Sequence, residues 1–178
     1  MVATVDNFEK SKEYFKQGDI LSTLDSFDKV IESIDRSQPK DKQRLLDFLN
    51  GLLTYCRENN LKKEEAFVLR ALGRVHSKYK DHKEGLNYSY QAVKIHKSLG
   101  KKSDIADSLV FLAEDLEASG KFNECIKPYN EAADIYHEIG KRRKEKDIRK
   151  EISRLDKFSR EEVEDEYIKH KFHINDGY

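Results

Sequence analysis

Residues 84–102 read EGLNYSYQAVKIHKSLGKK, and residues 124–142 read ECIKPYNEAADIYHEIGKR. Glu84/Glu124, Ala92/Ala132, Ile95/Ile135, Gly100/Gly140 and Lys101/Lys141 are identical pairs, each 40 residues apart. Leu86/Ile126 and Leu99/Ile139 keep that offset with one aliphatic side chain exchanged for another. So many matches in one register mark a structural part used twice. The segment before each copy repeats as well, with Leu69, Leu72 and Gly73 answering Leu109, Leu112 and Ala113. Large residues at this spacing fill the groove to a partner helix, while the small one lets two backbones approach. In the second segment of each pair Ala92 and Ala132 supply the small contact, and Tyr88, Tyr129, Ile95 and Ile135 supply bulk.

The rest of the composition fits helices with a large charged surface. Of 178 residues, 38% are charged and 37% hydrophobic, yet only 2 are Pro and 8 Gly, which argues against a disordered low-complexity chain. The 34 basic residues balance 34 acidic ones, so bulk charge points to neither nucleic acid nor an anionic membrane as partner. Cys56 and Cys125 stand alone inside apolar-periodic stretches and read as reduced core residues, not as a disulfide framework or zinc site. The opening MVATVDNFEK lacks the basic start and apolar run of a signal peptide. The greasiest windows, LLDFLNGLLTYC and IADSLVFLA, fall short of the roughly 20 residues that span a bilayer. A cytoplasmic protein is expected.

Apolar residues recur at helical spacing almost throughout, with breaks near Gly18, Pro39, Asn60, Asp81, Gly100, Gly120 and Gly140. Glycine suits a helix C-terminus, where a left-handed residue ends the last turn. The punctuation predicts eight helices, at 5–17, 19–35, 40–58, 62–79, 83–99, 103–119, 122–139 and 142–168, followed by a loose tail at 171–178. Ser103 and Asp104 are expected to cap the sixth helix, and Pro128 to fall early in the seventh, where its missing N–H does least harm.

These units resemble the tetratricopeptide repeat family, whose element is a helix–turn–helix with this large/small alternation. The match is clearest at Leu109, Leu112, Ala113, Leu116, Gly120, Cys125, Tyr129 and Ala132. It returns at Leu69, Leu72, Gly73, His76, Gly85, Ser89 and Ala92, and again at Tyr14, Asp19, Thr23, Phe27 and Val30, where Lys10 breaks the pattern. The closing proline of the family is absent from the two central units, and the spacing is longer than its usual period of about 34. In this the units look like the extended repeats of kinesin light chains and Rap-type regulators and, more loosely, soluble NSF-attachment proteins. The resemblance implies an all-α, right-handed solenoid forming a single domain over 1–170. Its expected parts are a first repeat at 5–35, an inserted or degenerate helix at 40–58, repeats at 62–99 and 103–139, and a capping helix at 142–168.

No Gly-rich phosphate loop, metal-spaced Cys/His set or nucleophile elbow occurs, so no enzyme activity and no cofactor are expected. His170 and His173 are a weak pair for a metal without a third ligand. The candidate site is a surface. In such a stack the first helix of each pair lines a concave groove. Arg70, Arg74 and Lys78 would then form a basic stripe, Asp107, Glu114 and Glu117 an acidic one, and Lys150, Arg154 and Lys157 a second basic one. That alternation fits a peptide or helix of mixed charge from a protein partner, and ordinary solvated faces would look the same. The clamp that tetratricopeptide domains use on Hsp70 or Hsp90 tails needs groove asparagines, and the corresponding places hold Phe8 and Lys12, Arg70, Ala71 and Arg74, and Asp107, Val110, Phe111 and Glu114. A chaperone tail is therefore not expected. The last helix begins GKRRKEK and ends near EEVEDE, a charge order that opposes the helix dipole. It reads as a cap on the stack or, alternatively, as the segment through which a signalling or trafficking regulator docks its partner.

Overall fold

The computed structural model describes the backbone of residues 2–34 and 39–172, and side chains within 6–34 and 41–158. Eight helices occupy the described residues, with no strand among them: α1 (Val2–Lys16), α2 (Ile20–Glu32), α3 (Pro39–Glu58), α4 (Lys62–Lys78), α5 (His82–Leu99), α6 (Lys102–Ala118), α7 (Phe122–Glu138) and α8 (Arg142–Phe172). The sequence places all eight, with α8 running past 168; residues 173–178 of the expected tail lie outside the described residues.

Five of the turns between helices close in the same way. Gly18, Gly100, Gly120 and Gly140 all have φ between 71° and 77°, and Asn60 and Lys80 adopt φ of 55° and 64°. In this left-handed conformation the next amide turns back onto the helix: Asp19 N–H donates to Tyr14 O, Leu61 to Cys56, Asp81 to His76, Lys121 to Leu116 and Lys141 to Tyr136, at 2.8–3.0 Å. Orphan carbonyls are thus satisfied, and two or three residues suffice to reverse the chain.

Two local expectations are corrected. Lys101, not Ser103 or Asp104, is the N-cap of α6, and it offers no side-chain cap. Asp104 instead sits inside the first turn, buried, where its charge complements the helix dipole and pairs with Lys101 at 3.1 Å. Pro128 is the seventh residue of α7, one turn beyond the free N–H groups, so the Glu124 carbonyl loses its helical donor.

Neighbouring helices pack on one another. The tightest associations are α4 with α5 and α6 with α7, followed by α1 with α2, α7 with α8, α5 with α6 and α3 with α4; α4 also touches α2 and α6. Gly73 explains the closeness of α4 and α5. A Cβ added there would lie 2.4 Å from Ser89 Oγ and 3.1 Å from the Gly85 carbonyl oxygen.

Burial repeats further than identity does. On α5 the buried positions are Gly85, Leu86, Ser89, Ala92, Val93 and His96. Forty residues earlier α3 buries Leu45, Leu46, Leu49, Leu52, Leu53 and Cys56, and forty later α7 buries Cys125, Tyr129, Ala132, Ala133 and Tyr136. Likewise Thr23, Leu24, Ser26, Phe27, Val30 and Ile31 of α2 answer Glu65, Ala66, Val68, Leu69, Leu72 and Gly73 of α4, 42 residues on. The core comprises two apolar clusters. One joins α1 to α4 around Phe27, Leu49 and Leu72; the other joins α6, α7 and α8 around Leu112, Leu116 and Leu155. Helix α5 serves both, giving Ala92 to the first and Leu86 and Val93 to the second. Both cysteines are free and buried, and burial raises each thiol pKa to about 11, so neither is a reactive thiolate.

Candidate interaction groove

A depression in two adjoining parts, which share Arg70 and Asp107, lies over the even-numbered helices. Its first part is walled by Leu21, Asp25 and Asp28 of α2, Phe67 and Arg70 of α4, and Asp104 and Asp107 of α6. Its second part shares Arg70 and Asp107 and continues over Phe111 of α6, Tyr136 of α7 and Lys144, Asp147 and Ile148 of α8. The wall nearest the N-terminus is therefore α2. Phe8, placed in the groove by the sequence reading, is buried in the core against Phe27 and Phe48, with ring centroids 6.0 and 5.3 Å away.

Arg70 stands at the centre. Its guanidinium lies 5.0 Å from the Phe67 ring centroid and 4.5 Å from that of Phe111, and it makes no ion pair within the described residues. Removal from water lowers its pKa, while Asp28, Asp107 and Asp104 act the other way. Two aromatic faces thus hold the cation in place, and its N–H donors make no hydrogen bond among the described residues. Arg74, one turn on, donates to Asp28 at 2.7 Å and also lies 5.0 Å from the Phe111 ring. Burial raises the Asp28 pKa against the pull of Arg74 and Arg70.

Asp107 is the counterpart on α6. Its Oδ1 accepts from Tyr136 Oη at 2.5 Å and from Lys144 Nζ at 2.6 Å. Burial works to raise its pKa, but these two donors outweigh it and hold the carboxyl below the ordinary range. Glu114 is exposed and makes no ion pair among the described residues, about two turns along the same helix; the surrounding protein raises its pKa, against the attraction of Arg74.

The predicted residues divide accordingly. Arg70 and Asp107 line the depression with Asp28, Phe111, Tyr136 and Lys144; Arg74 adjoins it through Asp28 and Phe111, and Glu114 lines neither part but lies near enough to feel the Arg74 charge. Lys78 is partly exposed on α4, forms no ion pair among the described residues and lines neither part of the depression. Arg154 is committed to Glu117 at 2.5 Å and Glu151 at 2.8 Å, which fastens α8 to α6. Lys150 faces elsewhere: with His137, Arg142 and Lys146 it borders a shallow depression on the outer side of α8. The sequence does not point to the acids of α2, because the repeat pattern puts 19–35 as the second helix of a pair, off the groove. The 42-residue correspondence of Phe27 and Val30 with Leu69 and Leu72 is the signal that would have found them.

Internal ion pairs neutralise much of this surface. Asp28 and Arg74 cancel, as do Asp107 and Lys144, leaving Arg70 near Asp25, Glu114 and Asp147, which make no ion pair among the described residues. A second depression, between α5 and α7 over Leu109 and Leu112, is bridged by Lys97 and Glu131 at 2.6 Å. Among the described residues no group of three His, Cys, Asp or Glu could hold a metal, and no helix is long and apolar enough to cross a membrane. No protein-family model matches the chain, and a search among curated proteins gives no match.

Proposed function

We propose that this chain is a tetratricopeptide-like repeat protein of the cytoplasm, a non-enzymatic scaffold or adaptor that takes a peptide or helix of a protein partner in the groove over α2, α4, α6 and α8. The observation that carries this reading is Arg70, a cation held between Phe67 and Phe111 that makes no ion pair among the described residues. Desolvated guanidinium groups of this kind are common anchors at protein interfaces. The 40-residue recurrence of buried positions supports a stacked-hairpin architecture, and Asp25, Glu114 and Asp147, near one cation and without an ion pair among the described residues, favour a ligand of mixed charge.

The test begins with a displayed library of peptides of mixed charge selected on the full chain. Arg70→Ala leaves the Arg74–Asp28 and Lys144–Asp107 pairs intact, so the fold survives. Selected peptides should lose at least about tenfold in affinity for this variant, and Lys150→Ala should leave them unaffected. Equal affinity for Arg70→Ala and the parent chain would overturn the groove reading.

A second reading rests on α8, which is 31 residues long where α7 has 17. In it the chain is a regulator of signalling or of vesicle or motor trafficking that docks a partner through its C-terminal helix. Truncation after Phe158 separates the two readings, because it leaves Ile148, Ile152 and Leu155 on the core and removes only the extension. Loss of partner binding by that truncated, still folded chain would favour the second reading over the groove.

A further inference from the structure

Helix α8 carries more than its packing on α7 requires. Starting at Arg142, antiparallel to α7, it reaches the beginning of its neighbour at Phe158, whose ring meets that of Phe122 at 5.0 Å. Helix α8 nonetheless continues to Phe172, so 14 residues outrun α7, a length of about 21 Å at 1.5 Å per residue.

Charge is segregated along it. Residues 141–150 contain seven cations against two acids, and residues 159–168 contain five acids against one cation. In the basic half Lys144 and Arg149 are spent on ion pairs within the chain. Arg142, Lys146 and Lys150 are not: they are exposed, follow one another at i, i+4 and i+8, border one depression and make no ion pair among the described residues. Cations at the N-terminal end and acids at the C-terminal end both oppose the helix dipole, so an isolated helix is destabilised by this order.

We propose that two copies of this chain pair through α8, antiparallel, with the acidic extension of each lying along the Arg142–Lys146–Lys150 stripe of the other. The arrangement is self-complementary, as a two-fold interface must be. The two charge blocks centre about nine residues to either side of residue 154, so an axis passing near there brings both basic halves against both acidic halves at once. Antiparallel alignment also sets the two helix dipoles against each other, whereas a parallel pair would place like charge on like charge. The stripe needs a strongly acidic, extended and rigid partner, and residues 159–168 of a second copy have that chemistry and, at about 15 Å, the length to cover it. Because the contacts are exposed ion pairs, the association is electrostatic and sensitive to salt. This inference does not depend on the groove.

The test uses two charge-reversed full-length chains, one with Arg142→Glu, Lys146→Glu and Lys150→Glu, the other with Glu161→Lys, Glu162→Lys and Asp165→Lys. In sedimentation equilibrium at low salt the parent chain should be a dimer that dissociates as salt rises to about 1 M, where the screening length falls to about 3 Å. Each reversed chain alone should be at least about tenfold weaker, because both halves of its interface then repel. An equimolar mixture of the two should recover a heterodimer, since each reversed half meets its complement. Circular dichroism and thermal melting establish that both variants are folded, and a variant that fails this is replaced by its neutral Gln counterpart. A parent chain that is monomeric at low salt overturns the proposal, as does a mixture that does not associate. Binding of an acidic peptide or of anionic vesicles to the stripe of a monomeric parent chain overturns it too, assigning the surface to another partner.

Discussion

Helices α4–α5 and α6–α7 are the same hairpin built twice, and they differ where the molecule does more than fold. Their shared positions hold the apolar contacts and the chain reversals: Leu69/Leu109, Leu72/Leu112, Ala92/Ala132, Gly100/Gly140. At unshared positions the first hairpin places polar groups that reach α6. Ser89 donates to Asp115 at 2.5 Å, and His96 Nδ1 meets Ser108 Oγ at 2.6 Å. The residues answering Ser89 and His96 are Tyr129 and Tyr136. Tyr129 fills the second cluster, while Tyr136 turns its hydroxyl to Asp107 in the groove. One backbone plan therefore serves two tasks, with polar seams joining one hairpin to the next and a polar rim facing the groove. Repetition marks what folds, and deviation from it marks what links one hairpin to the next.

The largest effect should come from the positions that do not differ. Leu72 and Leu112 are each nearly inaccessible, one in each apolar cluster. Leu72→Ala and Leu112→Ala should each cost about 2–5 kcal/mol in chemical unfolding, in a single transition for either variant. Two separate transitions in either case would show that the hairpins are independent bodies, despite the α5–α6 seam.

At the seam, the His96 and Tyr136 positions should part company with pH. His96 is buried beside Phe67, its Nε2 has no hydrogen-bond partner, and burial followed by the Arg70 charge lowers its pKa to about 4. The unfolded chain, with an ordinary value near 6.5, binds the proton more readily. Stability therefore falls as pH drops from about 6.5 to about 4, by roughly 3 kcal/mol from this residue in all. His96→Phe should remove that slope, measured as the difference between variant and parent denaturation midpoints across the interval. Tyr136→Phe should only lower the curve, by about 1 kcal/mol for the lost bond to Asp107, with its slope kept. A difference between the two chains that stays constant from pH 6.5 to pH 4 would refute the account.

Gly73 and Ala113 test the close approach directly. Alanine favours a helix over glycine by about 1 kcal/mol, so propensity alone predicts that Gly73→Ala stabilises. The steric argument predicts the reverse, because the new methyl meets Ser89 Oγ at 2.4 Å and backbone oxygen at 3.1 Å. Net destabilisation of about 1–2 kcal/mol is expected, and a gain would mean that α4 and α5 can separate without loss.

Much of this was legible in the sequence because the 40-residue echo preserves residue identity where geometry is demanding, at small contacts and left-handed turns. Helix α3 is legible as a helix but not as part of the echo, because its buried positions keep the pattern with other residues. Leu52 stands where Ala92 and Ala132 do, and Cys56 where His96 and Tyr136 do. A core accepts any apolar side chain of workable volume, so burial can persist after identity has gone. The groove was legible in its Arg70, Arg74 and Asp107 parts, which follow from helical spacing on α4 and α6. The pairing of Arg74 with Asp28 and of Lys144 with Asp107 was not, because it depends on how helices far apart in sequence come side by side. Lys150 shows the same limit on a single helix. Spacing alone could not say which face of α8 turns to the groove, since its apolar stripe is flanked by cations on both sides.

The smallest expected effect is the cleanest comparison of the two hairpins. Lys80 and Gly120 occupy the same place, 40 residues apart, and both are left-handed, at φ of 64° and 77°. Both turns close with the same bonds: Asp81 N–H to His76 O and Lys121 N–H to Leu116 O, each 2.9 Å. Nothing lies within 4 Å of a Cβ added at Gly120, so a side chain there is limited by backbone conformation and not by space. A left-handed L-residue costs roughly 1 kcal/mol or somewhat more, and the greater freedom of glycine in the unfolded chain returns part of that. Lys80→Gly should therefore stabilise the protein by about 0.5 kcal/mol, and Gly120→Lys should destabilise it by a similar amount. Denaturant midpoints should shift with slopes unchanged, and the exchange of both residues should be close to neutral. If Gly120→Lys leaves the midpoint where it was, the glycines of the echo are not there for their backbone freedom. The recurrence at 100 and 140 would then need an explanation other than helix termination.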